Sequence, residues 1–417
     1  MPRHSVYLTL SLLITLLFVG LVVFFSVNIP QQDDYDSILF YLLGSTENFT
    51  NGLADLHVSH RLALTRLLAR VSLLWGQGVD FRALTGFGAM CLVGAAGVLY
   101  CSVPRIPERR LALLLLCLSL FSLYHWSNMA WATAAVQNYT GLFAAVVCFS
   151  LFDRPNLSSR LVAVLLGLVA PYISASGLLI LPILLVWSGI ESRQTRYHGL
   201  LLTGLVGGSL LSFTGYFLLL PSPPGATLAP TLTLASALQV VLAFPVACAG
   251  YLHFVPLALV GGLFVNGYFL LLIRLRYDRR NRVLFYTFFY ILLSLLLVAL
   301  FRHDLGSRYL IASRYQVYTL LLNALIAISA LELGLDRQLL RRSAGPLLLT
   351  GFTLLYLASF YYLGNLHSEQ VRLRTGIASW PGDGGESLYY PDPAHAAELL
   401  NRAVQASLYR PPPAAEN

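Results

Sequence analysis

The stretch NIPQQDDYDSILFYLL begins at Asn28, directly after a long apolar run, and sets Asp33, Asp34 and Asp36 within four positions of one another. Carboxylates crowded at the rim of a membrane repel one another and resist desolvation. Two adjacent acids with a third two residues on can converge on one point. Such a pair can bind a hard divalent cation, or hold one carboxylate as a general base while its neighbour orients it. A nearby metal ion or arginine would keep both ionised. The plain alternative is a solvated loop following a first span.

Two further groups have the right chemistry to join the acids. HVSHR carries His57, His60 and Arg61, which share one face if the segment is helical. One imidazole there could ligate a metal or meet a phosphate oxygen, though the pattern lacks the glutamate of a zinc-protease helix. FRHDLGSRYLIASRYQVY carries Arg302, Arg308 and Arg314 with His303 and Asp304. Guanidinium groups donate in planar pairs to phosphate, so this loop reads as a grip on an anion, or as salt bridges to loop acids such as Asp304. A third segment, YHWSNMAWATAAVQNY, places Trp126 and Trp131 with Asn128, Gln137 and Asn138. Tryptophan and amides suit sugar faces and hydroxyls, and tryptophan also anchors spans at the interface. Sequons occur at Asn48, Asn138 and Asn156. There is no phosphate-binding glycine loop, no GxSxG and no Cys/His knuckle.

The elements that must position these groups are membrane helices. Of 417 residues 57% are hydrophobic and only 11% charged, against about a quarter charged in a soluble domain. All 27 basic residues are arginine, and they fall in short clusters between apolar runs rather than along one soluble face, which argues against nucleic acid as a partner. The first apolar segment, 5–27, is too long for a signal peptide and reads as a retained anchor. Windows at 5–27, 83–101, 111–127, 136–152, 161–176, 177–190, 199–220, 254–273, 283–301, 315–333 and 345–363 give an all-α polytopic protein of eleven spans. PYISASG reads as a break between the two short windows, and 237–252 as a candidate re-entrant segment.

The clusters RIPERR, DRPNLSSR, ESRQTR, RLRYDRRNR and DRQLLRR then fall on one side, cytoplasmic by the positive-inside rule, with the N-terminus inside and the C-terminus outside. This divides the chain into a transmembrane unit, 1–363, and a short outer tail, 364–417. Within the first outer loop, 28–82, the alternation of Arg61, Arg66 and Arg70 with leucines predicts an interfacial helix over 55–74. In the tail, Asp392 suits an N-cap and Pro393 the first helical turn, predicting a helix over 394–408. The five cysteines lie in or beside apolar segments with no metal-type spacing, as packing residues do.

Acids just past the first span, an amphipathic outer helix and a late arginine loop together resemble the GT-C class of integral-membrane glycosyltransferases. DDYD (33–36) stands where that class keeps its catalytic and metal-associated acids. SHRLALTRLL, SRY (313–315) and YPDPAHAAELL look like phrases of bacterial membrane proteins placed near the class. The resemblance implies an inverting enzyme of the bacterial inner membrane, acting on the periplasmic face. It would move a sugar from a polyprenyl-phosphate donor to an envelope acceptor: a lipid-linked glycan, lipopolysaccharide or a surface protein such as pilin.

By the resemblance Asp34, or its neighbour Asp33, is the general base, and Asp36 is a helper. Arg302, Arg308, Arg314 and Arg61 bind the carrier phosphate, and His57, His60, His303 and Tyr35 line the site. Asp33 and Asp36 are the ligands for a divalent cation, magnesium or manganese, if one is used. Three other readings compete, one of them a non-catalytic membrane partner of an envelope assembly, which would tolerate loss of every one of these acids. An O-antigen polymerase or ligase also relies on outer arginines, and RHDLG (302–306) matches an RxxxG pattern associated with them. A lipid-glycan flippase or transporter would instead place ionisable residues inside its spans. Here the span interiors are almost free of charge, with Glu332 near a cytoplasmic edge.

Overall fold

The computed structural model describes residues 2–45, 52–57, 60–76, 78–103, 108–191, 197–219, 233–334 and 338–412. Parts of three basic clusters (104–107, 192–196 and 335–337), the sequon at Asn48 and most of the outer loop 221–236 lie outside them, as does the side chain of Asp304.

Among the described residues eight helices are long and apolar enough to cross a membrane. They are α1 (Pro2–Phe25), α3 (Phe81–Ser102), α5 (Ala132–Phe152), α8 (His198–Leu218), α10 (Val255–Arg274), α11 (Arg282–Arg302), α12 (Ser313–Gly334) and α13 (Gly345–Asp383). Between them lie α2 (Ala63–Trp75), α4 (Arg109–Leu120), α6 (Leu157–Val169), α7 (Ile180–Ile190) and α9 (Leu234–Cys248), and α14 (Pro393–Gln405) closes the chain. The architecture is all-helical and polytopic. Leucines of α1 such as Leu12 and Leu16, and Leu354 and Leu357 of α13, face outward, as lipid-facing side chains do, while the shared core is built from α3, α5, α7, α11 and α12.

The expected windows at 111–127, 161–176 and 177–190 appear as shorter helices, and 237–252 as the 15-residue α9. Helix α4 stops because His125 turns back on it. Its imidazole contacts the Leu120 carbonyl at 2.7 Å and the Tyr139 hydroxyl at 2.6 Å, filling both ring nitrogens in a buried position. The break at PYISASG is a tight hairpin between α6 and α7, in which Gly177 meets the Ala170 backbone so closely that a Cβ would lie 2.2 Å from it. At the other end of the chain the last span does not stop at 363. It continues through one 3-10 turn at Phe360–Tyr362 to Asp383, so residue 363 lies inside a helix. Beyond it α14 starts at Pro393, with the Asp392 carboxylate accepting from the His395 N–H at 3.1 Å, as its sequence predicts.

The first outer loop departs most from expectation. Among the described residues of 55–62 none is helical: β1 (Leu56–His57) pairs antiparallel with β2 (His60–Arg61), and α2 begins only at Ala63. The arginines reach loop carbonyls. Arg66 donates to the Ser37, Gly52 and Asp55 carbonyls, Arg61 to those of Tyr216 and Ala54, and Arg70 to that of Ser45. Irregular backbone beside a membrane must have its carbonyls satisfied, and an arginine satisfies several at once. Residues Tyr35–Phe40 form a π-turn, and the tail helix α14 packs Leu399 and Leu400 over Tyr35 and Ile38, making a second apolar core at this end.

The opposite end is held by ion pairs. Arg160 forks onto Glu191 with bonds of 2.9 and 3.0 Å, Arg282 reaches the same carboxylate at 3.0 Å, and Glu332 accepts from Tyr277 and Asn281. Gly177→Ala tests the hairpin packing: overpacking against a backbone carbonyl should lower unfolding free energy by about 1–3 kcal/mol. A thermal melt in detergent that matches wild type would contradict that packing.

Candidate active site

The acids sit on a short irregular segment between α1 and the π-turn, and its three carboxylates point to three different places. Asp34 is buried, 1% exposed, against the start of α5. One oxygen accepts from the Thr133 N–H at 3.0 Å and the Thr133 hydroxyl at 2.6 Å, and the other accepts from the Gln31 N–H at 3.2 Å. Burial pushes its carboxyl up to about 7, although the bonds from Thr133 and Gln31 pull the other way, and the charge of Asp33 adds to the rise. Asp36 turns outward to the tail, where the Tyr390 hydroxyl donates to one oxygen and the His395 Nε2 lies 3.2 Å from the other.

Only Asp33 of the three lines a cavity, which has a volume of about 260 Å³. That is slightly under the roughly 300–1,000 Å³ of ordinary ligand pockets. Its polar lining gathers residues from distant parts of the chain: Asp33, His60 from β2, Gln137 and Asn138 from α5, Arg302 at the end of α11 and Arg314 at the start of α12. Its other wall is apolar, with Leu178 and Leu179 from the hairpin, Phe213 and Phe217 from α8, and Leu297 and Phe301 from α11. Phe213 and Phe301 on this wall are exposed.

Electrostatics inside the cavity favour an anion. The Arg314 guanidinium lies over the Trp131 ring at 5.6 Å and the Tyr315 ring at 5.1 Å, and Arg302 approaches the same tyrosine. Against them stands one carboxylate. Burial raises the Asp33 carboxyl, but His57, 3.8 Å away, with Arg314 and His60, outweighs it and holds the group below the usual carboxylate value. Burial, with Arg302 and His57, pushes the His60 imidazole down to about 4 although Asp33 pulls it up, so it is neutral at pH 7. His57 and His60 face each other across the β1–β2 pair rather than along a helix.

The expected site residues therefore divide. Asp33, His60, Arg302 and Arg314 meet at the cavity, with His57 beside Asp33. Asp34, Tyr35 and Asp36 serve the packing of the first loop, and Arg61 is a strut between that loop and the end of α8. His303 contacts the Leu300 carbonyl at 2.9 Å, and Arg308 is exposed in the turn Ser307–Leu310, away from the cavity lining. A hard divalent cation prefers several oxygen donors. Asp36 is taken up by Tyr390 and His395, and Asp33 stands among imidazoles and guanidiniums, a set that fits an anion better than a cation. Thr133, which holds Asp34, and Tyr315, between the two arginines, are the parts that spacing alone did not expose.

Asp34→Asn and Asp33→Asn should separate in stability. The first puts an amide N–H₂ against buried donors and should cost about 1–3 kcal/mol in a detergent melt. The second, half open to the cavity, should melt like wild type. Equal melting of both variants would contradict the buried role of Asp34. No protein-family model matches the chain, and neither a curated protein nor a solved structure matches it.

Proposed function

We propose that the protein is a membrane glycosyltransferase of GT-C type that takes a sugar from a polyprenyl-phosphate donor and passes it to an envelope acceptor. The observation that supports this best is the cavity itself: one ionised carboxylate and two guanidinium groups line a pocket together with apolar side chains, of which Phe213 and Phe301 are exposed. An amphipathic donor with an anionic head and a hydrocarbon tail matches both halves. The arginines at the opposite end, Arg160, Arg280 and Arg282, support reading that end as cytoplasmic by the positive-inside rule, and with it a cavity on the periplasmic face of a bacterial inner membrane.

In this reading the acceptor hydroxyl oxygen attacks the anomeric carbon from the face opposite the phosphate. The bond from that carbon to the phosphate oxygen breaks, its electron pair leaves with the polyprenyl phosphate, and the anomeric centre inverts. The acceptor proton passes to Asp33, the base that faces the cavity, rather than to Asp34. Arg302 and Arg314 hold the leaving phosphate as its charge grows, and Tyr315 and Trp131 brace the guanidiniums. No step requires a metal ion.

Asp33→Asn should lower transfer from a radiolabelled polyprenyl-phosphate sugar pool by at least about 10²-fold while carrier binding persists. Arg314→Ala should weaken both turnover and donor affinity, by about 10²-fold in turnover. Full transfer by Asp33→Asn in membranes at matched expression would sink the assignment. The pH profile distinguishes the two neighbouring acids. A base is active when ionised, and the Asp33 carboxyl is held below its ordinary 3.8, so transfer should stay level as pH falls from 8 to 5. An acid limb with a midpoint near 7 would instead identify Asp34.

The O-antigen polymerase or ligase reading keeps one observation in its favour: Gly306 has φ 87°, a conformation that favours glycine, so RHDLG has its arginine on the cavity and its glycine where the backbone needs one. Transfer only from diphosphate-linked oligosaccharides, and from no monophosphate donor, would favour it.

A further inference from the structure

Asp33 has little of its own to aim it. The contact its carboxylate makes is with His57 at 3.8 Å, too long for a hydrogen bond. Its direction is therefore set by the backbone on either side. On one side Gln32 adopts a left-handed conformation, φ 48°, which a non-glycine residue holds only where its surroundings impose it. The tail meets it there, together with the pins on Gln31 and Asp34: the Gln32 N–H donates to the Tyr389 carbonyl at 2.9 Å. On the other side Asp36 receives the Tyr390 hydroxyl on one oxygen and lies 3.2 Å from the His395 Nε2 with the other. The Tyr390 ring also packs on Tyr35, with centroids 5.4 Å apart. One short piece of the tail thus grips Gln32 on one side of Asp33 and Tyr35 and Asp36 on the other, while Asp34 between them is held by Thr133.

We propose that tail segment 389–395 is a clamp that aims Asp33 into the cavity, with Tyr390 and His395 as positioning residues that act through Asp36. The inference rests on the reading of Asp33 as the base. It assigns the phrase YYPDPAH a part in turnover, beyond covering an apolar patch. The start of α14 serves the clamp directly: the Asp392 cap and Pro393 fix the first turn on which His395 is carried. Misplacing a reacting group by about 1 Å can cost roughly 10²-fold in rate, so loosening the clamp should show in turnover before it shows in binding.

The test measures kcat and donor KM for the full chain in native membranes. The Tyr390→Phe/His395→Ala double variant should lose about 10²-fold in kcat at unchanged donor KM. His395→Gln, which keeps an N–H for Asp36, should retain most of the turnover. Tyr409→Phe is the control: it removes a 2.7 Å tail bond to the Asn28 carbonyl, leaves the two bonds to Asp36 in place, and should cost far less. Unchanged kcat in the double variant overturns the clamp, as does an equal loss in Tyr409→Phe, which would mean that the tail only holds the fold. If the double variant fails to accumulate, Asp36→Asn takes its place, and a wild-type kcat there is equally fatal. Asp33→Asn is measured alongside. Normal transfer by that variant removes the underlying reading, whereas its loss together with an active double variant removes the clamp alone.

Discussion

A buried carboxyl group, Asp34 against Thr133, is the constraint on which the outer end of the molecule depends. Burying it is costly unless its lone pairs are filled, and three donors fill them. Neighbouring bonds reinforce the pin: Gln31 donates to the Ala130 carbonyl, and the Ser37 and Thr133 hydroxyls meet at 3.0 Å. Residues 31–37 are thereby fastened to the start of α5, and that fixes where Asp33 leaves the backbone. The irregular loop that follows has few repeating hydrogen bonds of its own. Arg61 and Arg66 supply donors to its carbonyls, which lets non-helical backbone persist beside a membrane.

The cavity depends on this fastening and on a division of charge. Had all three acids faced it, mutual repulsion would have raised their pKa values and spoiled a site for phosphate. Instead one carboxylate is desolvated behind Thr133, one is handed to the tail, and one meets two arginines. The arginines in turn are braced by aromatic rings, and Asn128 donates to the Arg314 carbonyl at 2.9 Å, tying the start of α12 to the turn before α5. The hairpin between α6 and α7 closes the same cavity from below, which is why a hairpin that admits only glycine at 177 bears on the site.

At the far end, arginines that signal topology also carry structure. The fork of Arg160 on Glu191, joined by Arg282, links α6, the end of α7 and the start of α11. Removing one member would leave a partly buried charge without its partner, a larger penalty than the pair's net contribution. Glu332, near the end of α12, accepts from Tyr277 and Asn281, which ties it to neighbouring helices.

Long apolar runs were legible at once, because a span needs only length and greasiness, both local properties. The tail helix was legible for a similar reason, since Asp392 and Pro393 specify a helix start within a few residues. So was the choice of segments: one acid after the first span and two arginines at the end of α11 and the start of α12 do share a cavity. What the sequence could not decide was which acid faces it, since adjacent residues on an irregular turn point in different directions and no period relates them. Asp34 is settled by Thr133, 99 positions away, and Asp36 by His395, 359 positions away. The same holds for HVSHR, where a helical pattern yielded to a strand pair, and for Arg61, Arg66 and Arg70, whose alternation with leucine resembled an interface helix. Their direction was decided by unpaired carbonyls that only the folded loop brings within reach. The sequence determined by itself that the chain is a bundle of membrane helices with ionisable groups at one rim; tertiary contacts alone decided which of those groups are buried, which are braced and which face the cavity, because desolvation and hydrogen bonding depend on neighbours that are distant along the chain.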